Sequence, residues 1–192
     1  RDQTRIVGIP FYDEITNMSV ADGIAYVAWD NALEIYNVSG AEVPLSGGFR
    51  TEYVAQKMVV DDARLYYTTS DGYLYSRNRY GPNEFGSATI VGKERMIAWL
   101  LWDIGSYLYW TGFTSTIEQI RSLKVVDKRS QNLQESVVET AFVEPYLNDL
   151  ESYGALTYIA GLSGLVIADF SQPIAPMPVS SLSIGETVYD VE

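Results

Sequence analysis

The 192-residue sequence contains no cysteine and no histidine. Their absence removes thiol nucleophiles, imidazole bases, Ser-His-Asp triads and ordinary zinc sites, so any chemistry would fall to carboxylates, Tyr, Lys or hydroxyls. It neither requires nor excludes an oxidising compartment, because a chain of this length can bury a core without disulfides. Basic residues are scarce: 13 Lys and Arg face 25 Asp and Glu, and the net charge of −12 repels a phosphate backbone. Nucleic acid is therefore a poor partner. No apolar run reaches about 18 residues, which excludes an ordinary membrane-spanning helix. No signal peptide is recognisable, and a start at Arg1 rather than Met fits a processed or trimmed product. Helical periodicity is also missing, except in SQNLQESVVETAF (130–142), which reads equally well as strand.

What is present points to strands. Hydrophobic residues make up 47% of the chain alongside ordinary charge content, which is the composition of a folded protein rather than a disordered one. One unit recurs four times, marked by a short apolar strand with a central Tyr: GIAYVAW, ARLYYTT, SYLYWTG and ALTYIAG. Tyr26, Tyr66, Tyr109 and Tyr158 are equivalent, at spacings of 40, 43 and 49 residues. A turn follows each marker (Asp30-Asn31, Ser70-Asp71-Gly72, Thr114-Ser115, Ser163-Gly164), then a third strand; Asp-Gly and Ser-Gly supply the positive φ that hairpin turns demand. ITNMSV, QKMVV, IAWLLW and LNDL precede the markers, and VPLSG, SATIVG, QESVVET and PVSSLSI close the units.

Four short antiparallel strands per repeat predict an all-β chain, a β-propeller of four-stranded blades. Neighbouring blades on both faces explain why LVIA is apolar at consecutive positions instead of alternating. The blades are expected at about residues 13–50, 51–93, 94–143 and 144–185, in a single domain or segment. Residues 4–12 read as the outer strand of a blade and residues 186–192 as the start of a further inner strand. The expectation is part of a larger ring of about 6 to 8 blades, or a ring that a second chain completes; a closed four-bladed ring is the alternative.

GLVIADFSQPIAPMPVSSLSIG (164–185) resembles the LVIVD repeat of bacterial surface and secreted propellers, and LEIYNVSGAEVPLSGG (33–48) does so in part. YLYWTGFTSTIEQIRSL (107–123) resembles the YWTD repeat of extracellular receptor propellers, with Gly112 where that family has its Asp. The resemblance implies an extracellular-type propeller and transfers no functional residue.

Glu14, Glu52, Glu94, Glu144 and Glu186 recur at the entrance to the inner strands. Loops of that class share one propeller face, so the carboxylates could ring a channel mouth and weakly hold a cation or a basic ligand; inheritance of one Glu per repeat is the plainer alternative. No resident cofactor or metal is expected. Arg50, Tyr53, Arg95 and Tyr146 share these loops with Tyr12, Phe49 and Lys93, a mixture suited to a protein or carbohydrate surface. Asp13-Glu14 and Asp61-Asp62 are adjacent carboxylates, but neighbours along a strand point to opposite faces, which weakens the case for a glycosidase pair. The sequence thus predicts a non-catalytic secreted or surface binding module, with a carboxylate-based hydrolase or lyase acting on polysaccharide or peptide at the channel mouth as the alternative.

Overall fold

The computed structural model describes residues 14–40, 42–92, 95, 97–113, 121–140, 147–161 and 164–191. Among these the regular structure is all β-strand, arranged in four antiparallel sheets. The first sheet runs β1 (Ile15–Ala21), β2 (Ile24–Trp29), β3 (Ala32–Asn37) and β4 (Leu45–Arg50) in that order. The second runs β5 (Ala55–Val60), β6 (Arg64–Thr69), β7 (Leu74–Gly81) and β8 (Glu84–Phe85), with β9 (Thr89–Ile90) also on β7. The third comprises β10 (Ile97–Ile104), β11 (Tyr107–Phe113), β12 (Arg121–Asp127) and β13 (Val137–Glu139). The fourth comprises β14 (Leu147–Tyr153), β15 (Leu156–Gly161), β16 (Gly164–Asp169) and β17 (Met177–Ser183). Each sheet is a meander in sequence order, as blades require. Two compact units divide the chain, Arg1–Thr89 and Ile90–Glu192. No helix among the described residues is long and apolar enough to cross a membrane.

The first three marker strands are buried on both faces, which their unbroken apolar runs require. In β2, Ile24, Tyr26 and Ala28 join Leu33 and Ile35 against Ala55, Met58, Leu65 and Tyr67 of the second sheet. Ala25 and Val27 point the other way, beside Tyr36. In the second unit Trp102, Tyr109, Leu123 and Val125 pack on Ile159, Ala168 and Phe170. Turn chemistry is as the sequence demands: Gly72 adopts a φ of 88° and Asp30 one of 46°. Gly164 carries a close approach as well, because a Cβ there would sit 1.9 Å from Leu182 O.

Polar residues at a bulge in the inner strand fasten one sheet to the next. Register shifts fall between Ile15 and Asn17, between Ala55 and Lys57, and between Leu147 and Asp149. Beside the first of these, Thr16 Oγ1 donates to Ala55 O at 2.6 Å and Asn17 Oδ1 accepts Met58 N at 3.2 Å. A bulge frees a side chain to reach across in this way.

The outer strands depart from the sequence reading. In the second sheet Gly81, Pro82 and Asn83 close a tight turn, so β8 pairs with β7 ahead of SATIVG, of which only Thr89 and Ile90 are strand. In the first, the outer strand begins at Leu45, after Pro44, which has no amide to donate. Residues 131–136 of the helix candidate are bends and turns, and 137–139 are strand. The expected outer strand at 4–12 and the turn at 114–115 lie outside the described residues.

Candidate functional site

A concave site forms in the first unit where the chain leaves β4 and enters β5. Arg50, Glu52, Tyr53, Tyr67, Tyr75 and Arg77 line a cavity of about 210 Å³. The period of two on β7 sets Tyr75 and Arg77 on one face, and the register puts Tyr75 opposite Tyr67. These two rings stack with centroids 5.5 Å apart. The Arg77 guanidinium lies over the Phe49 ring at 3.9 Å, donates from Nη1 to Gly86 O at 2.9 Å, and reaches Tyr67 Oη at 3.4 Å. Its plane is thereby fixed.

The wall behind is held from the hairpin turn. Asp71 accepts hydrogen bonds from the Thr69 hydroxyl and, at 2.9 Å, from Tyr75 Oη. Asn31 holds the rim: Arg50 Nη1 donates to Asn31 Oδ1 at 2.8 Å, and the Thr51 amide donates to Asn31 O at 2.8 Å. Burial pushes the Tyr67 phenol up, against the pull of Arg77. Burial, the hydrogen bond to Asp71 and the nearby charges of Asp71 and Glu52 raise Tyr75 further. Both phenols therefore stay neutral across the physiological range and keep their protons as donors.

Of the residues singled out from sequence, Arg50, Glu52 and Tyr53 come together here, and Phe49 supports them from beneath Arg77. Glu14 is exposed in the first unit, and Arg95 and Glu186 are exposed in the second. Glu94, Glu144, Tyr146, Tyr12 and Lys93 lie outside the described residues. No cluster of three acidic ligands suited to a metal ion occurs among the described residues. Asp61 spends its carboxylate on the amides of Ala63 and Arg64, at 2.9 and 2.7 Å, which is turn chemistry. Asp127 and Asp169 are held below the usual carboxylate range, by Arg129 and by the Ser171 amide respectively, the opposite of what a general acid needs.

Tyr67, Tyr75 and Arg77 were not anticipated as site residues. The alternation of Tyr73, Tyr75 and Arg77 in YLYSRNR was the available signal, since three amphipathic side chains on one strand face form a patch. Chemically the site offers two guanidinium groups and aromatic faces inside a chain of net charge −12. Among the described residues, the Arg77 Nη2 group and most of the Arg50 fork have no protein acceptor.

No protein-family model matches the sequence, and no curated protein does. Solved structures do match in fold. The WD40 domain of Toxoplasma gondii coronin aligns with 92% of this chain at a TM-score of 0.65 and 13% identity, using 47% of its own length. A functionally unknown protein from Desulfotomaculum acetoxidans DSM 771 aligns with 97% at a TM-score of 0.68 and 10% identity, using 62% of its length. A chain of the mitotic checkpoint complex aligns with 98% at 0.57 and 13% identity, using 60% of its length. This chain therefore spans about half to three-fifths of the length of these three structures. At such identities the likeness establishes the fold alone, and that fold is the β-propeller.

Proposed function

We propose that the chain is a non-catalytic recognition module of a secreted or cell-surface protein, and that its first unit grips an acidic side chain of a polypeptide partner. The observation that carries this reading is the pocket of Arg50, Glu52, Tyr53, Tyr67, Tyr75 and Arg77, an aromatic site in which two guanidinium groups outnumber one carboxylate within an acidic molecule. Arg fixed over a ring and backed by Tyr is the composition of interface anchors, because large rigid groups lose little entropy on binding. Size argues the same way. At about 210 Å³ the cavity falls below the ~300 Å³ floor of small-molecule sites and fits one side chain with its carboxylate. Protein binding is also the use suggested by a fold shared with a chain of a multiprotein checkpoint complex. The surface or secreted location is supported by the abundance of Tyr and acidic residues and by the resemblance of residues 164–185 to the repeats of surface and secreted propellers.

The test is titration of short synthetic peptides whose central residue is Asp, Glu, Phe or Lys, monitored calorimetrically. Peptides with Asp or Glu should bind best, and Arg50→Glu should weaken them about tenfold or more, the value of a lost charge-assisted hydrogen bond. Equal binding of the Lys peptide, or an Arg50→Glu variant that binds normally, would refute the reading.

A further inference from the structure

The floor and the mouth of the Arg50 pocket carry opposite chemistry. At the floor Tyr67 is 2% exposed, and its oxygen accepts from Arg77 Nε at 3.4 Å. The Tyr67 hydroxyl proton meets no acceptor among the described residues, so it is free to donate into the cavity that the side chain lines. Arg77 is half-buried and fixed by the Phe49 ring and Gly86 O, which leaves its Nη2 group without an acceptor. Tyr75 does not compete, because its hydroxyl is committed to Asp71 at 2.9 Å. Tyr67 and Arg77 therefore present donors to whatever enters, a floor suited to a carboxylate.

The mouth is built from the loop between β4 and β5. The Thr51 amide donates to Asn31 O at 2.8 Å and the Thr51 hydroxyl to Tyr53 O at 2.7 Å, which holds the backbone on both sides of Glu52. The Glu52 side chain is exposed and lines the cavity, and its charge is one of those that raise the Tyr75 phenol. Among the described residues no ion pair ties it to Arg50 or Arg77. Two guanidinium groups and a carboxylate thus line one cavity of about 210 Å³ without neutralising one another. A plain anion entering it meets Glu52 as a like charge, and a plain cation meets both arginines. A ligand that bears both signs, anion inward and cation outward, meets neither.

We propose that the pocket selects a carboxylate with an ammonium group close beside it. Tyr67 and Arg77 hold the carboxylate at the floor; Glu52 holds the ammonium at the mouth and disfavours anions that lack one. This rests on the reading of the pocket as a site for an acidic side chain and adds what the partner must carry next to that side chain. Two positions in a polypeptide supply the pair: an Asp or Glu that bears the free α-ammonium of an amino terminus, or an internal Asp or Glu followed by Lys.

The experiment is calorimetric titration of the full chain, and of its Glu52→Gln variant, with four short amidated peptides at low salt. Two begin with Asp, one with a free amino terminus and one N-acetylated. Two are N-acetylated with an internal Asp, one followed by Lys and one by Gly. At least one ammonium-bearing peptide should bind about threefold or more tightly than its neutral counterpart, the value of an exposed ion pair, and the responding pair identifies the source of the ammonium. In Glu52→Gln that preference should fall to parity, with the neutral peptides bound more tightly than by the parent. Tyr67→Phe should weaken all four about fivefold or more and leave the preference intact. Parity in the parent, a preference that survives Glu52→Gln, or a Tyr67→Phe variant that binds normally overturns the proposal. In each of those cases the acidic-side-chain reading stands as long as binding is lost in Arg50→Glu; if no Asp peptide binds the parent, both fall together.

Discussion

The first and fourth blades carry the same face and end differently. Leu33 and Leu165 occupy one register position, as do Ile35 and Ile167, yet the first pair is sealed and the second half-open. Nothing in the blade's own strands produces the difference. It comes from what stacks on them: the complete second sheet covers the first blade, whereas among the described residues of the second unit only 187–191 lie beside the same face of the fourth. In a repeat architecture the stability of a unit is a sum of its own term and its neighbour terms, so equal sequences can have unequal weight.

The largest expected effect measures that inequality. Leu33→Ala should cost about 3 kcal/mol in denaturant unfolding, the value for a buried Leu that leaves a cavity, and Leu165→Ala only about 1 kcal/mol. Equal costs would mean that the fourth face is already covered in solution. A smaller contrast lies in the marker tyrosines. Tyr26 Oη donates to Pro82 O at 3.0 Å, whereas Tyr109 Oη is buried without a hydrogen-bond partner among the described residues. Burial raises both phenols. Tyr26→Phe should therefore destabilise by about 1 kcal/mol, and Tyr109→Phe should be neutral or stabilise by up to about 1 kcal/mol, read from the same unfolding curves. If both variants lost stability, Tyr109 would have a partner.

The smallest effect is acid sensitivity of the fourth blade. Asp169 accepts the Ser171 amide at 2.7 Å and has a pKa below its ordinary 3.8. A depressed carboxylate stabilises the folded state above its unfolded pKa, and that contribution disappears as pH falls through the folded value. Melting temperatures measured from pH 5 to pH 2.5 should therefore fall less in Asp169→Asn than in the parent. An unchanged slope would remove this carboxylate from the acid response.

Much of this architecture is legible in the sequence. The four Tyr-centred strands, the hairpin turns at Asp30-Asn31 and Ser70-Asp71-Gly72 and the apolar runs of strands covered on both faces follow from local rules, because turn residues and side-chain period act within a few positions. The outer strands were less legible: Gly81, Pro82 and Asn83 make a tight turn that brings Glu84 and Phe85 onto β7 ahead of SATIVG, which the sequence marks as the closing strand. Glu52 and Arg50 were identified by their place in a loop, whereas Tyr67, Tyr75 and Arg77 were missed because their convergence depends on cross-strand register. Asn17, which accepts the Met58 amide, and Asp149, which accepts that of Val191, were hidden as well. A polar residue in an inner strand reads as surface until the bulge that turns it toward the next strand is seen.

Native-state amide exchange at Val191, with Met58 as internal reference, is the most direct test of the packing of residues 187–191 on the fourth blade in the manner of β5 on the first. Protection of both amides is expected, lost at Met58 in Asn17→Ala and at Val191 in Asp149→Ala, each without loss at the other. A Val191 amide that exchanges as in an unstructured peptide, and that Asp149→Ala leaves unchanged, would contradict it.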